Sequence, residues 1–234
     1  MTGGEKCGIL PKEVYALSRK KDYQGAMERE LEALRREGRT PSLLLQDCCA
    51  PCGSYVIGLL ARFFRVTVLF YNPNIYPESE YDKRLGEVRR LLALMETPHP
   101  VELMPCGYDD AAFAACTAGL EEEPEGGARC ERCFRLRLER TARLAKENGF
   151  EYFATTLTVS PHKDPDVING IGAELERAYG VRFLEAEFKK RDGYRQSIEL
   201  SRKYDLYRQD YCGCAFSLRD RQLQKAEREK EDAI

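Results

Sequence analysis

Apolar segments with strand character alternate with amphipathic helical patterns along most of this chain, and this alternation limits its fold more than any other feature. The five strand candidates are Ser42–Gln46, Arg65–Tyr71, Val101–Met104, Glu151–Leu157 and Val181–Ala186. Charged segments with helical periodicity separate them, often with glycine or proline at the junction. The pattern predicts an α/β fold: a doubly wound, mostly parallel sheet in a single domain with one core.

The pattern also divides the chain into three regions. Residues 1–40 are predicted to form an N-terminal helical extension, residues 41–217 the α/β domain that contains the sheet, and residues 218–234 a charged C-terminal helix. In a doubly wound sheet, ligands bind beyond the carboxyl ends of the strands. The residues that follow the first four predicted strands include Cys48, Asn72, Pro105 and Thr158. We therefore expect the functional site at the edge of the sheet that these residues share.

Cysteine is abundant and histidine is scarce, with ten cysteines and two histidines in 234 residues. The chain begins without an apolar leader, and no apolar run approaches the roughly 18 residues of a membrane span. We therefore expect a cytoplasmic protein with no membrane partner. Cytoplasmic thiols are kept reduced, so closely spaced cysteines there indicate metal binding or redox catalysis. Many thiols with few histidines favour zinc or iron–sulfur chemistry.

Seven of the ten cysteines fall into three short groups, which are Cys48-Cys49-Ala-Pro-Cys52, Cys130-Glu-Arg-Cys133 and Cys212-Gly-Cys214. The first group lies in the turn after the first strand, where the N–H groups of the following helix would lower thiol pKa values. The second is a CxxC at a helix start, which grips a metal at two points in zinc and iron–sulfur sites. The glycine of the third group allows both of its thiols to face one point.

The remaining cysteines, Cys7, Cys106 and Cys116, stand alone in the sequence, and we interpret them as small buried apolar residues. For the grouped cysteines, a purely structural zinc site is the main alternative to a metal or redox centre with a catalytic role. Such a site needs only four ligands and would leave three grouped thiols without a role. The number of grouped cysteines therefore favours a metal or redox role over a purely structural zinc site.

Six motifs occur in order between about Leu43 and Ser217, namely CCAPC, YNPNIYP, CxxCFxxRL, FATTLTVSPHKD, INxIG and YCGC. Together they resemble the motifs of the QueH-type epoxyqueuosine reductases. The resemblance implies a Rossmann-like α/β domain and an oxidoreductase that catalyses the last step of queuosine biosynthesis in tRNA. In that step an epoxide is converted to a cyclopentene. The implied partners are tRNA carrying epoxyqueuosine and an electron donor that the sequence does not identify.

The same resemblance implies the metal ligands and their division between two centres. The cysteines implied to hold a [4Fe–4S] cluster are Cys48, Cys49, Cys130 and Cys133. Beside the cluster, Cys212 and Cys214 are implied to be catalytic, either binding a second metal ion, iron or zinc, or cycling as a redox-active disulfide. Cys52 is a further metal-binding candidate, and its role stays open.

Opening the epoxide to an alkene consumes two electrons and two protons, and thiols or metal centres are the groups that can supply the electrons. For proton transfer, Asp47 and His162 are the catalytic candidates, with Tyr71, Asn72 and Asp164 as further polar residues near the site. Structural alternatives exist for several of them. Asp47 could cap a turn, Tyr71 could lie in the core, Asn72 could serve its loop, and His162 could make a loop contact.

A net charge of −2 gives no general attraction to nucleic acid, so an RNA contact needs a local patch of cations. The predicted tRNA-binding residues are Lys189, Lys190, Arg191 and Arg195. Tyr194, Tyr204 and Tyr207 are interleaved with these and further cations, which suits base stacking combined with phosphate contacts. The alternative is a solvated, charged helix face.

Two other classes of protein are open on the residues alone. An ATP-using tRNA enzyme of the PP-loop type would share the fold, but it would need a serine- and glycine-rich phosphate loop after the first strand. This chain has Asp-Cys-Cys-Ala-Pro-Cys at that point, which argues against phosphate binding. A zinc-stabilised tRNA-binding module without catalysis would be colourless, whereas an iron–sulfur protein is brown. Metal analysis distinguishes the zinc-stabilised module from the iron–sulfur protein.

Overall fold

The computed structural model describes residues 21–231, and one five-stranded sheet forms the centre of this part of the chain. The strands are β1 (Ser42–Gln46), β2 (Arg65–Phe70), β3 (Glu102–Pro105), β4 (Tyr152–Thr155) and β5 (Arg182–Phe183). All neighbouring strands are parallel, in the order β3-β2-β1-β4-β5. With β1 at the centre and later strands added on both sides, this order confirms the predicted doubly wound α/β sheet.

Eight α-helices within the described residues connect and cover the strands. They are α1 (Tyr23–Glu37), α2 (Ala50–Leu60), α3 (Glu78–Leu94), α4 (Asp110–Thr117), α5 (Ala128–Glu147), α6 (Pro165–Tyr179), α7 (Gly193–Lys203) and α8 (Ala215–Glu231). Apolar residues of α1, α2 and α3 pack on one face of the sheet, and those of α5 and α6 pack on the other. The sheet is therefore the buried middle layer of three.

The side chains of β1 alternate between the two cores. Leu43 and Leu45 belong to one apolar cluster and Leu44 belongs to the other, and all three are completely buried. A strand covered on both faces needs apolar side chains at successive positions, which explains the continuous apolar run in the sequence. The chain then leaves the carboxyl edge of the sheet at Asp47 and Cys48, which is where the first cysteine group begins.

Local signals in the sequence determine the ends of several helices. α6 begins at Pro165, and the carboxylate of Asp164 accepts a hydrogen bond from the N–H of Asp166 at 2.8 Å. The helix ends at Gly180, which has a φ of 72° that favours glycine. Gly38 ends α1 in the same way, with a φ of 62°. These ends need no tertiary contact to explain them.

Two strands are shorter than the sequence predicts by more than one residue. β4 stops at Thr155, because Thr156 adopts helical backbone angles (φ −79°, ψ −2°) and a short 3-10 helix follows. β5 contains only two residues, because the side chain of Asn169 takes the place of a neighbouring strand beside Ala186. It accepts from the Ala186 N–H at 3.0 Å and donates to the Ala186 carbonyl at 3.1 Å.

The two ends of the described chain differ in how they pack. In α1, Met27, Leu31 and Leu34 are buried in the core beside β1 and β2, so this part of the predicted N-terminal extension is built into the sheet's own core. In α8, residues 222–230 are all exposed. Residues 1–20, which include Cys7, and residues 232–234 lie outside the described part. Between residues 21 and 231, no helix is both long and apolar enough to cross a membrane.

Candidate metal and redox site

The first cysteine group lies in the sharp turn from β1 to α2. Cys49 is the N-cap of α2, and Pro51 stands in the first turn of the helix. This turn brings the Sγ atoms of Cys48, Cys49 and Cys52 within 4.8 Å of one another, with 3.9 Å between the sulfurs of Cys48 and Cys49. Cys49 is buried, whereas Cys48 and Cys52 are partly exposed. Three sulfurs at this separation can bind one metal centre.

Hydrogen bonds within the first group favour a thiolate at one position. The sulfurs of Cys49 and Cys52 form hydrogen bonds with the sulfur of Cys48, and these bonds lower the pKa of Cys48 well below its ordinary value, with a further contribution from the charge of Lys163. The same bonds, together with burial, raise the pKa values of Cys49 and Cys52. Because the thiolate is the metal-binding form of cysteine, Cys48 is the member of this group best prepared to bind.

The second and third cysteine groups meet beside the first. Cys130 and Cys133 lie one turn apart near the start of α5, and Cys212 and Cys214 lie in the loop before α8. All four line one small cavity. Cys133 and Cys214 are buried and pack together with Phe113. Burial raises the pKa of Cys133 to about 12.

A larger cavity of about 690 Å³, here called the thiol cavity, adjoins this small one. The thiol cavity is lined by all three cysteines of the first group and by Cys212 of the third. Cys212 also lines the small cavity, as do Arg137, His162 and Lys163. All seven grouped cysteines therefore border two cavities that share part of their walls.

The cavities group the cysteines differently from the family resemblance. The resemblance combines the first and second groups into one cluster site, whereas the structure places the second group beside the third. Arg137 lies between the first and second groups, because the charges of both Cys48 and Cys133 act on its guanidinium. The division of the thiols between a cluster and a second site stays a prediction.

Two cations to which the sequence analysis assigned no role lie among these thiols. Arg137 is 2% exposed and lies one helical turn after Cys133, so that its Nε donates to the Cys133 carbonyl at 3.3 Å. Burial acts to lower the pKa of Lys163, but the charges of Cys212 and Cys48 outweigh burial and raise it. The sequence carried a signal for Arg137, because it lies four residues after Cys133. This spacing places the two side chains on the same face of the helix.

Arg84 of α3 is another cation near the thiols, and it anchors the loop of the third cysteine group. It is 2% exposed, its Nε bonds Glu80 at 2.7 Å, and its Nη1 donates to the Cys212 carbonyl at 3.2 Å. Its guanidinium also lies 5.1 Å from the centre of the Tyr211 ring. The sequence carried a signal for this residue, because an arginine three positions after Tyr81 falls on the core-facing stripe of an amphipathic helix.

Asp47 is fully buried beneath the first cysteine group. Its Oδ1 accepts from the Thr156 hydroxyl at 3.0 Å, while Oδ2 has no partner among the described residues. Burial raises the pKa of Asp47 well above its ordinary value. Asn72 donates to the Asp47 carbonyl at 2.8 Å and accepts from Gln46 at 3.0 Å, so it ties the ends of β1 and β2 together. The contacts of Asn72 are those of a structural residue, whereas Asp47 keeps a free carboxyl oxygen.

The other polar candidates are placed differently from one another. His162 is exposed and lines the thiol cavity, with its backbone N–H bonded to the Ser160 hydroxyl at 3.3 Å. Asp164 caps α6. Tyr71 is buried in the core on the α5 side of the sheet, with the guanidinium of Arg140 5.8 Å from its ring centre. Of these three, His162 is the residue placed to contact a molecule in the cavity.

The predicted tRNA-binding cations are paired with carboxylates. The pairs are Lys189–Glu187 (3.8 Å), Lys190–Glu187 (2.9 Å), Arg191–Glu28 (3.2 Å) and Arg195–Asp192 (3.0 Å). None of these four cations is among the described residues that line the thiol cavity, but Tyr194 and Arg208 are. The structure therefore places one aromatic ring of the predicted RNA-binding segment at the cavity and the four cations outside it.

Two of the isolated cysteines have apolar surroundings. Cys106 packs against the core on the α5 side of the sheet, and burial raises its pKa. Cys116 packs beside Cys133 and Cys214 in the small apolar cluster that also contains Phe113. Their apolar neighbours fit a packing role, but both cysteines are partly exposed, so the prediction that they are buried is wrong. Cys116 also lies next to grouped thiols.

The donor set suits a zinc or iron–sulfur centre. Thiolate sulfur is the ligand that both prefer, and the Sγ atoms of the first group lie within 4.8 Å of one another. An anionic centre of this kind would also face the positive charges of Arg137 and Lys163. The residues in the turn from β1 to α2 and around the small cavity therefore fit such a group.

Comparison with known proteins identifies the family of this chain. The family model of epoxyqueuosine reductase QueH matches residues 43–220. A curated relative of that name from Streptococcus pyogenes serotype M1 is 40% identical over 202 residues, which cover 86% of this chain and 79% of the relative. Another from Thermotoga maritima is 38% identical over 194 residues, covering 80% of this chain and 95% of the relative.

A solved structure with a looser likeness is the U34-tRNA thiolase NcsA from Methanococcus maripaludis with its [4Fe–4S] cluster. The likeness has a TM-score of 0.42 and 11% sequence identity, over 82% of this chain and 69% of that chain, and it is too distant to bear on the site. The family model and the curated relatives match this chain much more closely than that structure does. The match of the family model includes residues of all five strands and all three cysteine groups. The chain therefore belongs to the epoxyqueuosine reductase QueH family of oxidoreductases.

Proposed function

We propose that this protein reduces the epoxide of epoxyqueuosine in tRNA to the cyclopentene of queuosine. The observation that carries the proposal is the convergence of seven cysteines from three distant segments on two adjoining cavities. Membership of the family supports the reaction class. The thiols support the chemistry, because a reductive deoxygenation needs groups that supply electrons.

The stoichiometry of the reaction sets what the site must provide. The epoxide, two electrons and two protons give the alkene and one molecule of water. When bound, a [4Fe–4S] cluster supplies electrons one at a time. Its proposed ligands are Cys48, Cys49, Cys130 and Cys133. The lowered pKa of Cys48 supports the role of this one residue as a ligand, because a thiolate forms there most readily.

Since two electrons are required, a second centre beside the first is part of the proposal. Cys212 and Cys214 would form it, either as ligands of an iron or zinc ion or as a dithiol. A dithiol that becomes a disulfide releases two electrons and two protons, which matches the stoichiometry. The presence of Cys212 in the walls of both cavities supports this role. Cys52, whose sulfur lies within 4.8 Å of those of Cys48 and Cys49, is proposed as a further ligand.

The thiol cavity is the proposed binding site of the modified base. Its volume of about 690 Å³ suits a small-molecule ligand, for which sites of about 300–1,000 Å³ are typical. Tyr194 lines the cavity and is 36% exposed, so its ring offers a surface on which a base can stack. Arg208 and Arg221 line the same cavity and can contact phosphate.

We propose tRNA contacts farther from the base for Lys189, Lys190, Arg191 and Arg195. Each of these cations is paired with a carboxylate, so a phosphate has to displace that carboxylate to bind. Such contacts would be weak singly and would add to a binding affinity that falls as salt rises. The tRNA would then be held by dispersed contacts around a base inserted beside the thiols.

His162 and Asp47 are the proposed proton-transfer residues. His162 is exposed at the wall of the thiol cavity, where its imidazole can reach a substrate oxygen. Asp47 lies beneath the first cysteine group, and its Oδ2 has no partner among the described residues. Because burial raises the pKa of Asp47, that oxygen is suited to hold a proton.

The test is turnover by protein purified without oxygen. tRNA carrying epoxyqueuosine is incubated with the protein and a chemical reductant, and queuosine is measured by mass spectrometry of the digested nucleosides. Iron, zinc and acid-labile sulfide are measured on the same sample. We expect queuosine to form, with iron and sulfide in the ratio of a [4Fe–4S] cluster. Stoichiometric zinc without iron, and no turnover, would instead indicate a structural tRNA-binding module.

A double variant separates the two proposed centres. Cys212→Ser together with Cys214→Ser should keep the visible absorption of the cluster and lose turnover, because the second centre is missing. Cys106→Ala is the matched control, since this cysteine packs against the core and should change neither property. Loss of the cluster spectrum in the double variant would place the pair among the cluster ligands. Normal turnover would make the pair structural.

A further inference from the structure

Arg137 is a buried cation whose hydrogen bonds go to neutral groups. Its side chain is 2% exposed, with Nε donating to the Cys133 carbonyl at 3.3 Å and Nη1 to Oδ1 of Asn72 at 3.5 Å. Nη2 is buried and has no partner within the described residues. Across residues 21–231, no aspartate or glutamate forms an ion pair with Arg137. A fully buried guanidinium without a carboxylate needs another counter-charge.

Lys163 is a second cation that lines the same cavities as Arg137, the thiol cavity and the small cavity, and has no carboxylate partner among the described residues. The two cations are close enough for the charge of Arg137 to act against the protonated form of Lys163. Two neighbouring positive charges that repel each other increase the need for an anion between them.

The ionisable groups that act most strongly on these two cations are thiols of all three cysteine groups. Glu125 also lines both cavities, but among the described residues it forms no ion pair with either cation. The charges that act most strongly on Arg137 are those of Cys133, Cys212, Cys48 and Cys130. Those that act most strongly on Lys163 are Cys212, Cys48 and Cys52. Both cations line the two cavities that the seven grouped cysteines border, so they lie beside the thiolate ligands and any centre bound to them. Thiolate ligation supplies the counter-charge that no carboxylate supplies.

We propose that Arg137 and Lys163 raise the reduction potential of the metal centre held by the surrounding cysteines, and so control how readily it accepts electrons. This inference rests on the proposed function, because it assumes a redox-active centre at these thiols. It assigns the two residues a role as tuning residues that act through charge. Neither has to contact the substrate.

The physical reason is the change of charge on reduction. A thiolate-ligated centre becomes more negative by one charge when it accepts an electron, and nearby positive charge stabilises that form more than the oxidised one. The effect is strong where the charges are buried, because water does not screen them there. Arg137 is suited to this role, since a guanidinium stays protonated at all physiological pH values.

Four variants test the role of charge. Arg137→Gln removes the charge but keeps hydrogen-bond donors, and Arg137→Lys keeps the charge. Lys163→Met removes the other cation at a partly buried position. Arg135→Gln is the matched control, because Arg135 lies on the same helix, pairs with Glu174 at 2.6 Å and is not among the described residues that line either cavity.

The measurement is an anaerobic redox titration of the cluster-loaded protein without tRNA, followed by visible absorption and electron paramagnetic resonance. Iron and sulfide content are determined first for every sample. We expect Arg137→Gln and Lys163→Met to shift the midpoint potential to more negative values. Arg137→Lys and Arg135→Gln should leave it close to that of the wild type.

Potentials that stay at the wild-type value in Arg137→Gln and Lys163→Met, with full iron content, would overturn the inference even if the wild type forms queuosine. If Arg137→Gln loses iron and Arg137→Lys keeps it, the potential of Lys163→Met decides, and a shift to more negative values in that variant supports the inference. If both Arg137 variants lose iron, Lys163→Met decides, and a wild-type potential in that variant overturns the inference. A wild-type protein that binds no cluster contradicts the proposed function itself, which is a different result.

Discussion

Replacing Arg84 by Met should strongly destabilise the protein, because it breaks a buried ion pair from one side. The Arg84 side chain is 2% exposed, and that of its partner Glu80 is 11% exposed. Removing one member of such a pair costs about 3–5 kcal/mol, since the other charge stays buried. Tyr207 still donates to Glu80 at 3.2 Å, so we expect the lower end, about 3 kcal/mol. The Cys212 carbonyl also loses its bond to Nη1.

For a domain of this size, a loss of about 3 kcal/mol lowers the melting temperature by roughly 6–12 °C. The chain has no tryptophan whose fluorescence could report unfolding. Thermal unfolding under anaerobic conditions is therefore followed by far-ultraviolet circular dichroism. Arg135→Gln is the control, because its pair with Glu174 is about one-third exposed and should contribute about 1 kcal/mol or less. Adding Glu80→Gln to Arg84→Met should restore part of the loss. Equal melting temperatures of Arg84→Met and the control would refute this reasoning.

Further predictions concern the cysteines and two helix glycines. Cys49→Ala should abolish iron incorporation, because Cys49 supplies one of three sulfurs within 4.8 Å, whereas Cys106→Ala should keep the wild-type iron content on elemental analysis. Gly172→Ala should cost about 1–3 kcal/mol in urea unfolding, because the new Cβ would lie 2.2 Å from the Phe183 ring. Gly86→Ala, also within a helix but with nothing within 4 Å, should instead stabilise by roughly 0.5–1 kcal/mol. Equal effects of the two alanines would contradict the packing argument.

The central strands and several helix ends were predictable because their signals are local. β1 has the bounds that the apolar run Ser42–Gln46 predicts, since burial on both faces requires apolar residues at successive positions. The first cysteine group could be placed at the carboxyl edge of the sheet for the same reason, because it follows that strand directly. Strands β4 and β5, on the other side of β1 from β2, were predicted less well. β5 is short because Asn169, thirteen residues before Arg182 and on a helix, bonds the backbone that would have continued it.

By itself, the sequence determined the strand and helix pattern, the three cysteine groups and the family. Only the tertiary structure decided which groups are neighbours, and it placed the CxxC of α5 beside the CxC loop. It also decided that Arg84, Arg137 and Lys163 surround the thiols, although charged residues in helices and loops usually face solvent. Arg84 and Cys212, for example, are bonded across 128 positions of the chain. The spacing of residues encodes which face of an element is apolar, but what a buried charge faces depends on elements far apart in the sequence.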